Sequence, residues 1–298
     1  MNDTSRTPGL GVMALVVVLC AIWGVNQVAI KFGNAGISPL WQSAIRSAGG
    51  AILVLGWTRL RGIPIFVRDG TLAGGIAAGL LFGTEFGLLY WAIEFTTAAR
   101  SVVLLYTAPI SLAIAAHFFL KGDRLTPRKI LGLTACFLGV ALLFADSLTL
   151  PDRTGLIGDA LAFAASLFWS ASTIVIKRSK LATSSGEKIG LYQYAVSAVL
   201  LGFVALLMGE RGIFDPTPLV MGALAFQIVM VVFVSYTIWF ALVPIYTASS
   251  LASFSFLTPV FGVLAAHLLL GEELQPVLVM SLALVGFGIW TVNRPTKA

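Results

Sequence analysis

Residues 106–117 read Tyr-Thr-Ala-Pro-Ile-Ser-Leu-Ala-Ile-Ala-Ala-His, and residues 256–267 read Phe-Leu-Thr-Pro-Val-Phe-Gly-Val-Leu-Ala-Ala-His. Pro109 answers to Pro259, and His117 to His267. The echo runs outward on both sides: Thr97-Ala98 matches Thr247-Ala248, Leu125-Thr126-Pro127 matches Leu274-Gln275-Pro276, and Leu40-Trp41-Gln42 matches Leu191-Tyr192-Gln193. The chain therefore carries an internal duplication, with halves at 1–147 and 148–298. Self-similarity of this kind in an apolar chain marks a duplicated membrane bundle.

The apolar character is pervasive. Of 298 residues, 58% are hydrophobic and 11% charged, and the mean hydropathy is +0.95. That leaves too little polar surface to cover a water-soluble globule, so lipid is the expected solvent. About 20 apolar residues cross a bilayer as helix. Stretches of that kind lie near 10–32, 40–60, 70–93, 97–120, 127–146, 155–178, 188–208, 218–243, 247–270 and 275–293. The expected fold is all-α, with ten transmembrane helices. The first stretch reads as a retained span, because no small-x-small cleavage site follows it.

The net charge of +6 does not point to nucleic acid, because its distribution follows the membrane. With the N-terminus cytoplasmic, inside segments collect Arg6, Arg59, Arg61, Arg68, Lys121, Arg124, Arg128, Lys129, Lys177, Arg178, Lys180, Lys188, Arg294 and Lys297. Outside segments hold Lys31, Arg153 and Arg211. Positive charge inside orients both termini to the cytoplasm. Five spans per half then place the halves antiparallel, as inverted five-helix repeats whose substrate site lies between them near the midplane.

Several residues are candidates for that site. Pro109 and Pro259 remove a backbone donor midway along matching spans, so each helix bends and frees the carbonyl four residues earlier, at Leu105 and Ser255. Such carbonyls near the midplane need cavity water or substrate as partner. Trp23, Asn26, Gln27 and Ile30 share one helical face, matched in the second half by Trp169, Ser172, Thr173 and Ile176. Amides and hydroxyls on these faces turn toward a cavity or another helix rather than lipid. Tyr90, Trp91, Tyr106, Tyr236, Trp239 and Phe240 add aromatic surface suited to a flat ring. Gly75, Gly79, Gly83 and Gly87 form a small-residue stripe for close helix packing.

Arg46 and Glu85 are the most deeply placed ionisable groups. A charge near the bilayer centre faces the bundle interior and seeks a counter-charge, so the two are expected to form an ion pair or a substrate or proton site. His117 and His267 stand near span ends, where capping is their expected role. Cys20 and Cys136 lie inside spans without metal-like spacing and read as packing residues. Neither a metal nor a cofactor is expected.

With the duplication and these residues in view, the chain resembles the drug/metabolite transporter superfamily, in particular ten-helix members built from two EamA-type repeats. The resemblance rests on Trp23-Gly24 with Lys31 closing the first span, Thr97-Ala98, Pro109 and the Ala-rich run to His117, and Leu-Gly-Glu-Glu-Leu at 270–274 before Pro276 and Gly288. The first half departs from the last motif with Leu120-Lys121-Gly122-Asp123-Arg124-Leu125. Within the superfamily the chain is similar to bacterial exporters of aromatic amino acids. That resemblance implies facilitated export of phenylalanine, tyrosine, tryptophan and aromatic cations such as methyl viologen across the inner membrane, by alternating access through a central cavity.

Other classes fit less well. No Asp or Glu occurs between Asp3 and Asp69, which removes the first-helix acid on which small multidrug exporters depend. A nucleotide-sugar or organophosphate exchanger needs several buried basic groups, and Arg46 stands alone. Intramembrane proteolysis finds neither His-Glu-x-x-His nor Gly-x-Gly-Asp. A lipid flippase or an exporter of other small metabolites stays open. One chain already holds both halves of a cavity, so a monomer suffices.

Overall fold

The computed structural model describes residues 7–148 and 150–294, and these are helical apart from turns and one isolated bridge between Ile37 and Ile213. The first half contains α1 (Leu10–Asn34), α2 (Pro39–Leu60), α3 (Leu72–Phe95), α4 (Ala98–Leu105), α5 (Ala108–Phe119) and α6 (Pro127–Leu143). The second contains α7 (Arg153–Arg178), α8 (Gly186–Leu207), α9 (Pro218–Phe226), α10 (Thr237–Leu242), α11 (Ala248–Ser255), α12 (Leu257–Leu270) and α13 (Val277–Asn293). Among the described residues seven helical stretches, two of them interrupted by a turn, are long and apolar enough to cross a membrane: Leu10–Asn34, Leu72–Phe95, Ala98–Phe119, Arg153–Arg178, Gly186–Leu207, Pro218–Leu242 and Ala248–Leu270. Val277–Asn293 is a shorter apolar helix. The α2 helix has the length but carries Gln42, Ser43, Arg46 and Ser47 on its buried side.

The proline effect is a break rather than a bend. α4 ends at Leu105 and α5 begins at Ala108 with Pro109 in its first turn, while α11 gives way to α12 at Phe256, ahead of Pro259. A proline at the start of a helix gives up a donor that has no intrahelical partner there anyway. The carbonyls at the first break are partly met locally: Thr107 donates its hydroxyl to the Leu104 carbonyl at 2.6 Å, and Ser170 donates to Ala108 at 3.0 Å.

Span eight departs from expectation. Between α9 and α10, Gln227–Tyr236 is wound as a π-helix, a form with one extra residue per turn that occurs mostly as short bulges at functional sites. Its carbonyls are engaged from the side. Ser235 donates to Val231 at 2.5 Å, and Tyr194 donates to Val232 at 2.9 Å.

The two halves interlock. The α3 helix packs on α7 and α8, α2 on α8, α1 on α12, α5 on α7, and α6 on α13, so the main helix contacts all cross between halves. Small residues make these approaches close. A methyl on Gly79 would stand 2.6 Å from the Val196 Cβ and 2.7 Å from the Tyr192 carbonyl oxygen, and one on Gly83 would stand 2.9 Å from Leu200. Gly75 sits against the Tyr192 ring, so three glycines of the stripe seat α3 on α8, whereas a methyl on Gly87 would meet Leu201 at an ordinary contact distance of 3.7 Å. On α6, Gly132 faces the Gly288 carbonyl, and Ser281 donates to the Gly139 carbonyl at 2.7 Å.

Loops repeat a theme on the two ends of the bundle. Asp69, ahead of α3, accepts from Lys188 in the first turn of α8 at 2.7 Å. The Lys188 ammonium, with the Thr71 hydroxyl, holds the Asp69 carboxyl below the usual carboxylate range. Glu210, after α8, accepts from the Leu40 and Trp41 amides at the start of α2, at 3.3 and 3.1 Å. His117 accepts from the Leu125 amide at 3.2 Å, and the His267 Nδ1 lies 2.6 Å from the Glu272 carbonyl. Each histidine thus caps the turn that follows its helix.

A side chain at Gly79 must displace backbone on α8, and overpacking of this kind costs about 1–3 kcal/mol. Gly79→Val is expected to lower the thermal unfolding midpoint of the detergent-purified protein, while Gly87→Ala leaves it unchanged. Equal midpoints for both would show that the stripe is not a packing seam.

Candidate functional site

A cavity of about 180 Å³ lies in the middle of the bundle, walled by α1, α3, α7, α8, the breaks beside α4 and α12, and the end of the π-helical stretch with α10. Its lining includes Trp23, Asn26, Tyr90, Tyr106, Trp169, Ser172, Tyr236 and Trp239. Those eight come from five different spans, and the fold brings them together. Phe240 and Glu85 line the same space.

The aromatic side chains form two groups across the cavity. On one side the Trp23 ring lies 5.2 Å from Trp239 and 5.7 Å from Tyr236, and Phe82 stands edge-on to Tyr236 at 5.9 Å. On the other, Tyr106 meets Trp169 edge-on at 6.2 Å. These are the separations of attractive aromatic pairs. The Trp23 indole N–H donates to Ser235 at 2.8 Å, so the π-helical stretch fixes the orientation of the ring. Trp91 does not line the cavity; it is exposed on the outside of α3.

Polar groups among these rings differ in how they are satisfied. Ser172 donates to the Ala78 carbonyl at 3.4 Å and Thr173 to Trp169 at 3.3 Å, so both hydroxyls spend their proton on helix contacts. Asn26 Oδ1 and both amide atoms of Gln193 are buried without a hydrogen-bond partner, and both residues line the cavity, as does Thr258, whose hydroxyl lies against Tyr106 and Cys20. A buried amide left unpaired costs about 1–3 kcal/mol, so these atoms are the candidates for a ligand's hydrogen bonds. Gln193 and Thr258 were not singled out by periodicity. The signal for Gln193 was present in the repeat, since it is the counterpart of Gln42, which sits outside the cavity with Nε2 3.5 Å from the Ile30 carbonyl.

Four predicted positions lie elsewhere or act differently. Pro109 and Pro259 are buried in the first turns of α5 and α12 and do not line the cavity, because their effect is on the backbone. Leu105, whose carbonyl Pro109 leaves without a helical donor, does line it; its counterpart Ser255 does not. Arg46 and Glu85 form no salt bridge. Glu85 faces the cavity, whereas Arg46 lies behind it with its guanidinium 4.5 Å from the centre of the Phe86 ring, its Nε and Nη1 unpartnered. Stacking on an aromatic face supplies part of what a counter-charge would.

The two ends of the cavity are unlike. At one end stand Ile30 and Ile93, the latter 46% exposed; at the other stand Ile176 and Val243, 1% and 2% exposed. The lining is thus more exposed at the first end, termed the open end, than at the second, termed the shut end. Among the described residues no three His, Cys, Asp or Glu side chains gather as a metal site would require.

Comparison with known proteins agrees with this architecture. The EamA-like transporter family matches at residues 10–145 and again at 156–294. A relative from Escherichia coli (strain K12) named "Probable amino-acid metabolite efflux pump" is 27% identical over 94% of this chain and 93% of its own length. The "Uncharacterized transporter YoaV" of Bacillus subtilis (strain 168) is 24% identical over 94% of this chain and 95% of its own. A solved crystal structure superposes with a TM-score of 0.81 at 18% identity, covering 95% of this chain and 98% of that one, which speaks for the fold alone. An apolar helical bundle with a central cavity, matched by one family in both of its halves, is a multi-pass membrane transporter, and the chain belongs to the EamA-like transporter family.

Proposed function

We propose that the protein exports aromatic amino acids across the bacterial inner membrane. It works by alternating access through the central cavity, with ten spans in two inverted repeats divided near residue 147 and both termini cytoplasmic. The observation that carries the reading is the cavity itself, an aromatic chamber in which Gln193 and Asn26 hold polar atoms without partners. A zwitterion with a flat ring supplies what each wall lacks. The relative named for amino-acid metabolite efflux supports the substrate class.

The roles follow from chemistry. The ring lies between the Trp23–Tyr236 side and the Tyr106–Trp169 side, where it gains dispersion and edge contacts. Gln193 Nε2 donates to the carboxylate, with the Arg46 charge behind that wall adding attraction. Asn26 Oδ1, the Leu105 carbonyl and Glu85 accept from the ammonium. Ser172, Trp239 and Tyr90 shape the chamber. Pro109 and Pro259 act at one remove, by opening the helix at Leu105 and beside Thr258. An exchanger of organophosphates is less well served, since no Lys or Arg among the described residues lines the cavity.

Proteoliposomes of the purified protein are expected to take up labelled phenylalanine and tryptophan saturably, each competing with the other, while alanine competes weakly. Equal uptake of alanine would overturn the aromatic assignment; uptake that depends on an imposed pH gradient would direct attention to Glu85. Gln193→Leu keeps the volume and removes hydrogen bonds to a charged group, worth about 1.5–3 kcal/mol. Its KM is expected to rise roughly ten-fold or more with the protein monodisperse, and an unchanged KM would remove Gln193 from the site. Trp169→Ala is expected to narrow the preference for tryptophan over alanine, measured as the ratio of kcat/KM values.

A further inference from the structure

At the shut end of the cavity the duplicated sequence has built a charged latch. Lys177, the last-turn lysine of α7, donates to the carbonyls of Val243 and Tyr246, both at 2.7 Å, and so holds the end of α10. Asp123, 2% exposed, accepts the Ser249 amide at 2.9 Å at the start of α11, and also the Ser249 hydroxyl and the Lys129 ammonium. Lys177 and Asp123 thus hold the two flanks of one short segment, Val243 and Tyr246 on one side and Ser249 on the other. Together they close the loop between α10 and α11 over the end of the cavity.

The same parts exist at the open end, disengaged. The register that pairs Trp23 with Trp169 and Ile30 with Ile176 pairs Lys31 with Lys177. The register that pairs Leu125 with Leu274 pairs Asp123 with Glu272, and the geometry agrees: Gly122 and Gly271, each just before its acid, both have left-handed φ, of 84° and 72°. Here Lys31 holds Glu272 at 3.3 Å with both side chains more than half exposed. The carbonyl partners that Lys177 uses correspond to Ile93 and Thr96, and the amide that Asp123 caps corresponds to Ala99. None of these is buried.

We infer that Lys31 and Glu272 form the second latch of the transport cycle, and that the latches engage in turn. When the open end shuts, Lys31 leaves Glu272 for the carbonyls of Ile93 and Thr96, and Glu272 caps α4 at the Ala99 amide. Lys177 and Asp123 then let go and face each other as an exposed pair. This rests on the alternating-access part of the proposed function, not on the substrate. The two latches are unequal. The side chains of Ser249 and Lys129 each give Asp123 a hydrogen bond, and the side chains of their counterparts Ala99 and Leu278 offer Glu272 none. The excess favours the state described here, with the Lys177 end shut.

The test reads the two ends without substrate. Ile93→Cys and Val243→Cys, made separately in the full chain, report on the open and shut ends through their rates of reaction with a bulky maleimide in detergent. Cys20 and Cys136 are buried and set the baseline. Adding Ser249→Ala with Lys129→Leu equalises the latches; losing two hydrogen bonds to a charged group is expected to raise the Val243→Cys rate roughly five-fold or more and lower the Ile93→Cys rate. Adding Glu272→Ala is expected to move both rates the opposite way and to slow turnover. Rates that rise together at both ends mean loosening of the fold, and rates that do not move mean the charges do not set the state; either result overturns the inference. Since no amino acid is present, a failure of aromatic selectivity leaves these rates untouched and is seen separately in the uptake assay.

Discussion

Inside hydrocarbon a backbone N–H or C=O has no water to turn to, so a spanning segment must satisfy its own polar groups or lie where protein or a cavity does so. Three places in this chain depart from the α-helical pattern at depth: the break at Tyr106–Thr107, the turn at Phe256, and the π-helical stretch from Gln227 to Tyr236. All three adjoin the central cavity, through Leu105 and Tyr106, Thr258, and Tyr236. The freed carbonyls are taken by Thr107, Ser170, Ser235 and Tyr194, or stand at the cavity wall. The site exists where the helices are irregular, and the irregularity is tolerated because the site is there.

Much of this was legible in the residues. The repeat exposed Pro109 with Pro259 and Trp23 with Trp169, and a proline in mid-span has few consequences other than a bent or broken helix. The helical faces of the first and sixth spans followed from spacing alone, since amides among apolar residues cannot face lipid. The π-helical stretch was hidden, because periodicity arguments assume a fixed turn and Gln227–Tyr236 reads as ordinary apolar helix. Arg46 illustrates a different limit. Depth identified it as interior, but whether a buried guanidinium meets a carboxylate or an aromatic face depends on helix rotations of a fraction of a turn, which composition does not encode.

The comparison of halves also shows what a duplication preserves and what it releases. Gln42 and Gln193 occupy one register, yet the first lies by the Ile30 carbonyl and the second lines the cavity. The glycine stripe of α3 is not repeated, since the matching positions hold Ala225, Val229, Phe233 and Thr237. Chemistry has therefore been divided: the α3 side supplies close packing and the one cavity-facing acid, Glu85, while the π-helical and α10 side supplies bulk aromatic surface.

The interlocking of the halves has a consequence for how the protein is made. The α1, α2, α3, α5 and α6 helices all find their main partners in the second half of the chain. Until that half is present, Gly79, Gly83 and Gly132 have no backbone of α8 or α13 to pack on, and Arg46 and Glu85 lack the second-half helices that enclose them. A charge in that position costs about 2.5–3.5 kcal/mol on insertion scales, so the early spans are held only provisionally. The core seen here is therefore complete only once the helices of the second half have joined those of the first.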